Sequence, residues 1–251
     1  MNMTNNTILI TGGASGIGLA LAERFLGRGN EVIICGRRAD KLEEAKAKFP
    51  KLHIRVCDVS VESDRRSLVE WVISSFPNLN ILVNNAGIQQ RINLLDATDD
   101  WNYYRQEISA NQEAPIHLSM LLIPHLIQKK DATIINVTSG LAFVPPAWVP
   151  IYGATKAAMH SFTVSLRLQL LKNNINVVEV LPPAVNTDLG GIGLHTFGEP
   201  LDDFADSVFK RFESGDLEIG YQFSENVIRA SRDEIDEIVL RNWECLQAPK
   251  I

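Results

Sequence analysis

Short apolar runs rich in β-branched residues alternate with amphipathic stretches along most of the chain, and this alternation constrains the fold more than any other feature. Thr7–Thr11 (TILIT), Glu31–Cys35 (EVIIC), Leu52–Cys57 (LHIRVC), Asn80–Asn84 (NILVN), Thr133–Thr138 (TIINVT) and Ile175–Leu181 (INVVEVL) read as strands. Runs of this kind suit strands buried on both faces. Between them, apolar stripes at helical spacing predict helices over about Leu19–Arg28, Asp40–Phe49, Glu62–Ser75, Asp99–Gln128 and Tyr152–Leu171. Pro115 and Pro124 are expected to bend or split the fourth of these. Strand–helix–strand units joined by right-handed crossovers give an α/β fold, a doubly wound parallel sheet with helices on both faces.

After Pro182-Pro183 the rhythm breaks. Thr187–Pro200 mixes Gly190, Gly191, Gly193 and Gly198 with Leu189, Ile192, Leu194 and Phe197, and leads into a helical stretch at Leu201–Glu213. The segment 187–214 is expected to act as a flap over a substrate. Leu217–Phe223 would add a last strand, giving about seven, and Ser231–Cys245 a helix capped by Ser231 with Glu234 three residues on. With no linker, repeat or low-complexity tract, the 251 residues are read as one domain.

A formal net charge of -6 argues against a nucleic-acid surface. Cys35, Cys57 and Cys245 form no CxxC pair, and the five histidines show no ligand spacing, so no metal is expected. Polar residues lead straight into the first strand, without a signal sequence, and no run approaches the roughly 18 apolar residues of a membrane span. A soluble, cytoplasmic protein is expected.

Thr11-Gly12-Gly13-Ala14-Ser15-Gly16-Ile17-Gly18 lies between the first strand and first helix. Such a turn lets a pyrophosphate approach the backbone, and the free N–H groups of a helix start favour its charge. At the end of the second strand, where an NAD site usually carries an acid, the chain has Arg37-Arg38. Guanidinium groups there would pair with a 2′-phosphate, favouring NADPH over NADH. Asp58, ahead of Val59, is placed either to accept from an adenine amino group or to cap the next helix. Asn84-Asn85-Ala86-Gly87 ends the fourth strand with small residues that would admit the cofactor.

Tyr152 and Lys156 stand four residues apart, on one face of a helix, with Ser139 at the end of the fifth strand. A free tyrosine titrates near 10. A lysine cation, together with oxidised nicotinamide, is expected to bring Tyr152 toward the working range. Ser139 can then hydrogen-bond the substrate oxygen beside it.

T-G-x3-G-I-G at Thr11–Gly18, Asp58-Val59, N-N-A-G at Asn84–Gly87, Asn111, Ser139 and Y-x3-K at Tyr152–Lys156 occur in order, over about residues 7–190. In this the chain resembles the short-chain dehydrogenase/reductase family, its compact single-domain branch, and within that the DltE-like oxidoreductases. The resemblance implies a Rossmann-like fold and a dinucleotide held by Gly12, Ala14, Ser15, Gly16, Ile17 and Gly18, then Arg37, Arg38, Asp58 and Val59, then Asn85, Ala86 and Gly87. It implies that Tyr152 exchanges a proton with the substrate oxygen and that Lys156 binds the nicotinamide ribose and lowers the Tyr152 pKa. Ser139 would orient the substrate and Asn111 anchor a relay water, while hydride passes between nicotinamide and carbon.

Two departures stand out. Pro182-Pro183 replaces the family's frequent Pro-Gly, leaving Val185 and Thr187 to meet the carboxamide. The chain end lacks the V-D-G-G-like finish of the family's tetramers, so a homodimer through the long helices is expected, with a tetramer the other assembly. Leu141, Phe143, Trp148 and Leu189 read as walls of an apolar cleft for a small ketone, aldehyde or secondary alcohol, with Phe143 and Trp148 read equally as core or subunit contacts. The other functions weighed are an NAD-dependent dehydrogenase and an NADP(H)-binding sensor or scaffold without turnover.

Overall fold

A computed structural model of the protein describes residues 1–97 and 100–247. Asp99, where the fourth helical region is expected to open, lies outside them. The strands are β1 (Thr7–Thr11), β2 (Glu31–Gly36), β3 (His53–Val56), β4 (Leu79–Asn84), β5 (Ala132–Val137), β6 (Ile175–Leu181) and β7 (Glu218–Gly220). They form one sheet in the order β3-β2-β1-β4-β5-β6-β7, with every pairing parallel. The direction of winding reverses between β1 and β4, and a crevice opens there beyond the carboxyl ends of the strands.

Residues alternate between two cores because successive side chains of a strand point to opposite faces. Ile8 and Ile10 of β1 pack with Leu21 and Phe25 of α1 (Gly16–Gly27) and Leu42 of α2 (Ala39–Lys48). Leu9 points the other way, toward Leu68 and Val72 of α3 (Glu62–Ser75).

The fourth helical region is split at one of its two prolines. α4 (Trp101–Ile108) passes into a π-helical turn at Ser109–Glu113, then into α5 (Ala114–Leu126). Pro115 has no N–H, so it cannot continue the α-helical bonding of the preceding turn, and Ala114 N instead closes a wide turn onto Ser109 O. α5 runs on through Pro124. α6 (Pro150–Leu170) starts two residues earlier than expected, with proline in its first turn.

The segment 187–214, expected to act as a flap, is not of one kind. Residues 201–214 form α7 (Leu201–Ser214), whose Phe204, Val208, Phe209 and Phe212 are buried in the first core. Phe25 meets Phe209 at 4.7 Å between ring centroids. The apolar spacing of α7 is helical, and it ties the segment to the sheet. β7 is three residues rather than seven, because the chain turns at Gln222 (φ 49) into α8 (Phe223–Val227). α9 (Arg232–Gln247) is capped as expected: Ser231 Oγ accepts from Glu234 N at 3.3 Å, and Ser231 N donates back to Glu234 Oε2 at 2.7 Å. α9 contributes no buried residue. Among the described residues no helix is long and apolar enough to cross a membrane.

Candidate active site

The turn after β1 is fixed by its neighbours. Gly12 N donates to Cys35 O at 2.8 Å. Thr11 Oγ1 accepts from Asn85 N and Ala86 N, both at 3.0 Å, and Asn85 Nδ2 donates to Thr11 O at 3.0 Å. Gly12 has φ +65, and a Cβ there would lie 2.8 Å from Ala86 Cα, so only glycine admits this approach. Gly18 serves the same packing and does not line the cavity: a Cβ would stand 2.4 Å from Gly12 O. Its expected cofactor contact is therefore corrected to a helix–turn contact.

A cavity of about 1420 Å³ runs along the carboxyl edge of the sheet. Ala14, Ser15, Gly16 and Ile17 line its floor beside Gly12. Arg37 and Arg38 close one end, both exposed, and Arg38 Nη2 donates to Ser15 Oγ at 3.1 Å. Among the described residues no carboxylate forms an ion pair with either arginine. Asp58 does not cap α3, whose N-cap is Val61. Its Oδ1 accepts from Ser60 N at 3.0 Å, stabilising the turn before α3, while the residue lines the cavity with Val59. Asn85, Ala86 and Gly87 form the middle of the wall.

Ser139, Tyr152 and Lys156 meet at the inner end, each nearly sealed from solvent. The Tyr152 hydroxyl is hydrogen-bonded to Ser139. Lys156 Nζ donates to Val137 O at 2.9 Å and lies 5.4 Å from the Tyr152 ring centroid. Burial pushes the Tyr152 phenol well above its ordinary range, against the Ser139 hydrogen bond that lowers it. Burial likewise pulls the Lys156 ammonium down to about 8, against Glu107 and Glu179, which raise it. Asn111, in the π turn, is buried behind the wall: Oδ1 accepts from Ile88 N at 2.8 Å, and Nδ2 donates to Thr155 Oγ1 at 3.3 Å. A Cβ on Gly87 would be 3.3 Å from Asn111 Oδ1 and 3.8 Å from Lys156 Nζ, so the two groups flank one point of the wall.

Residues 6–192 match the family described as short chain dehydrogenase. The chain belongs to the short-chain dehydrogenase family. It is 45% identical over 243 residues to the uncharacterized oxidoreductase DltE of Bacillus subtilis, covering 95% of this chain and 96% of that one. The short-chain dehydrogenase of Sphingobium yanoikuyae in complex with NADPH superposes with a TM-score of 0.79 at 26% identity, covering 98% of this chain and 97% of that one. The 3-ketoacyl-(acyl-carrier-protein) reductase of Brucella melitensis, complexed with NADH, gives a TM-score of 0.78 at 27% identity, covering 87% and 97%.

At the outer end of this short-chain dehydrogenase cavity the wall comes from several segments. Leu141, Trp148 and Leu189 line it, with Val185 and Thr187 beyond the Pro182-Pro183 turn. Phe143 does not: its ring rests on His160, 4.5 Å between centroids, so its expected place in the cleft is corrected. Phe197 of the expected flap also lines the cavity, as do Gln89, Gln90, Tyr103, His195 and Asn242, which escaped the sequence reading. They lie in loops and on α4 and α9, where no spacing marks a shared wall.

Two buried acids escaped it too. Glu179 of β6 accepts from Thr138 Oγ1 at 2.7 Å and contacts His160 Nδ1 at 3.0 Å, an arrangement that raises the His160 pKa. With Glu218 these residues bring three ligand-type atoms within 4.8 Å, although both Glu179 oxygens already have partners. The second acid is Glu107, one side of which meets the loop after β4.

Proposed function

We propose that the protein is an NADP(H)-dependent oxidoreductase that interconverts a small, largely apolar ketone or aldehyde and its alcohol, with Tyr152 as general acid and base. The observation that carries this reading is the pairing of two ends of one cavity. One end holds the buried Ser139, Tyr152 and Lys156; the other holds two arginines with no carboxylate partner among the described residues.

The cradle fits a dinucleotide, since a Cβ at Gly12 would strike the backbone of Ala86 and glycine leaves that approach open. When bound, the cofactor supplies or accepts a hydride at its nicotinamide ring. Arg37 and Arg38 pair with the 2′-phosphate, and the start of α1 faces the pyrophosphate. Lys156 holds the nicotinamide ribose, and Val185 and Thr187 meet the carboxamide.

Ser139 donates to the substrate oxygen and turns it toward Tyr152. Tyr152 passes its proton to that oxygen in reduction and removes it in oxidation. Because burial holds the phenol protonated, the resting site presents the donor form that reduction needs. Asn111 anchors a water through which Lys156 draws the replacement proton from solvent. Leu141, Trp148 and Leu189 hold the apolar part of the substrate. Exposed Met120 of α5, with Leu168 and Leu171 at the end of α6, suits a homodimer through the long helices, which sedimentation velocity tests.

The test is a fluorescence titration with NADPH and NADH, followed by a screen of ketones and aldehydes. Tighter binding of NADPH with turnover supports the reading. Binding without turnover on any carbonyl favours a sensor, and tighter NADH binding sinks the role given to Arg37 and Arg38.

A further inference from the structure

Glu107 is fully buried, on the last turn of α4 just before the π turn that carries Asn111. Its Oε1 accepts from Gln90 N at 3.1 Å, while its Oε2 has no hydrogen-bond partner among the described residues. Gln90 donates its Nε2 to Tyr103 O at 3.0 Å, one turn back on the same helix, and its own Oε1 is also buried without a partner. Two buried acceptors on hydrogen-bonded neighbours lack a donor. Leaving such buried acceptors unsatisfied is costly, and a neutral carboxyl, unlike a carboxylate, carries an O–H that can donate.

The charged and titratable groups that act on this region come from α6. They are Lys156, which favours the Glu107 carboxylate, and Tyr152, whose phenolate the carboxylate opposes. From the loop after β4 only the Gln90 N–H reaches it among the described residues. Glu179 reaches Lys156 from the far side, on β6, but does not bear on Tyr152. Glu107 is therefore the acid that bears on both members of the pair.

We infer that Glu107 is a positioning residue of this site, whose buried carboxyl behind the Gln90 wall sets the charge state of Lys156 and Tyr152. The inference rests on the function proposed above for those two residues. Burial pushes the Glu107 carboxyl up to about 7, against the Gln90 N–H and the Lys156 ammonium, so it changes charge near neutrality. Once ionised, it holds Lys156 cationic and Tyr152 protonated, and it extends the reductive form of the site to higher pH. Glu107 itself transfers no proton to substrate.

The test uses the full-length protein and Glu107→Gln and Glu107→Asp variants, with Lys156 followed by NMR of isotope-labelled lysine side chains. The Lys156 signal is assigned by its loss in Lys156→Met. In the parent protein Lys156 is expected to titrate in two steps, one near 7 from Glu107 and one near 8 of its own. In Glu107→Gln the lower step vanishes and the Lys156 midpoint falls by about one pH unit; Glu107→Asp retains both steps. A folded Gln variant with an unchanged Lys156 midpoint overturns the inference. Should that variant not fold, a single-step Lys156 titration in the parent overturns it equally.

On a substrate that turns over, the alkaline limb of kcat for reduction moves to lower pH in Glu107→Gln, with KM unchanged. A merely structural residue would lower activity at every pH without moving that limb. Absence of turnover on every carbonyl defeats the proposed function, while the Lys156 titration still decides the part played by Glu107.

Discussion

The two ends of the cavity are built to different standards. Around Gly12 every backbone path is tied: Thr11 Oγ1 receives two N–H groups, Asn85 spans to β1, and a single added carbon would collide. Around the segment 187–200 the ties are few. Ile192 is 90% and Phe197 76% exposed, and Gly190, Gly191 and Gly193 all take positive φ. Regions with little buried apolar contact open at low free energy, whereas a preorganised cradle binds without ordering cost. The rigid end suits a ligand that never changes and the loose end one that is selected by adjustment.

That contrast can be broken by substitution. Tyr152→Phe should lower turnover by about 10²–10⁴-fold, the range of a lost general acid. NADPH titration in the same variant should be unaffected; loss of binding would mean that the ends are not separable. Gly12→Ala should destabilise the fold by about 1–3 kcal/mol, through a strained backbone and the clash with Ala86, and abolish measurable NADPH binding. Denaturant titration of a variant as stable as the parent would show that the cradle yields after all. Arg37→Asp should weaken NADPH by about 10–100-fold and spare NADH, since a charged hydrogen bond is worth about 1.5–3 kcal/mol.

A smaller effect concerns the Glu179–His160 pair beside Thr138. The Glu179 carboxylate raises the His160 pKa, so the stabilisation is complete below the ordinary histidine value of about 6.5 and is lost as pH rises through the raised one. Melting temperature should decline across that window, and His160→Gln should flatten the decline. Smallest of all, Ile192→Ser should move stability by no more than about 0.5 kcal/mol while altering KM for apolar ketones. A stability loss above that would give the flap a structural role.

Legibility in the sequence follows the same divide. α3 and β6 have the expected bounds because their patterns are local: caps, β-branched runs and apolar stripes need no distant partner. The glycine turn, the arginine pair and Y-x3-K are also local signals, and their residues converge on one cavity. α1 begins at Gly16, earlier than its apolar stripe, because the glycines that shape the turn hide the helix start. The π turn at Ser109–Glu113 follows from a donor missing at Pro115, but its position depends on packing that no periodicity records. Glu107 and Glu179 read as ordinary charged residues until tertiary structure encloses them, and Phe143 is an apolar loop residue whose partner, His160, belongs to another element.

α9 buries nothing, yet Asn242 from it stands in the cavity wall. In α9, then, a cavity wall is served by a stretch that takes no share in the core. A library of substitutions confined to the 16 residues of α9 should explore new carbonyl substrates at a nearly constant melting temperature, a freedom that the residues around Gly12 do not have.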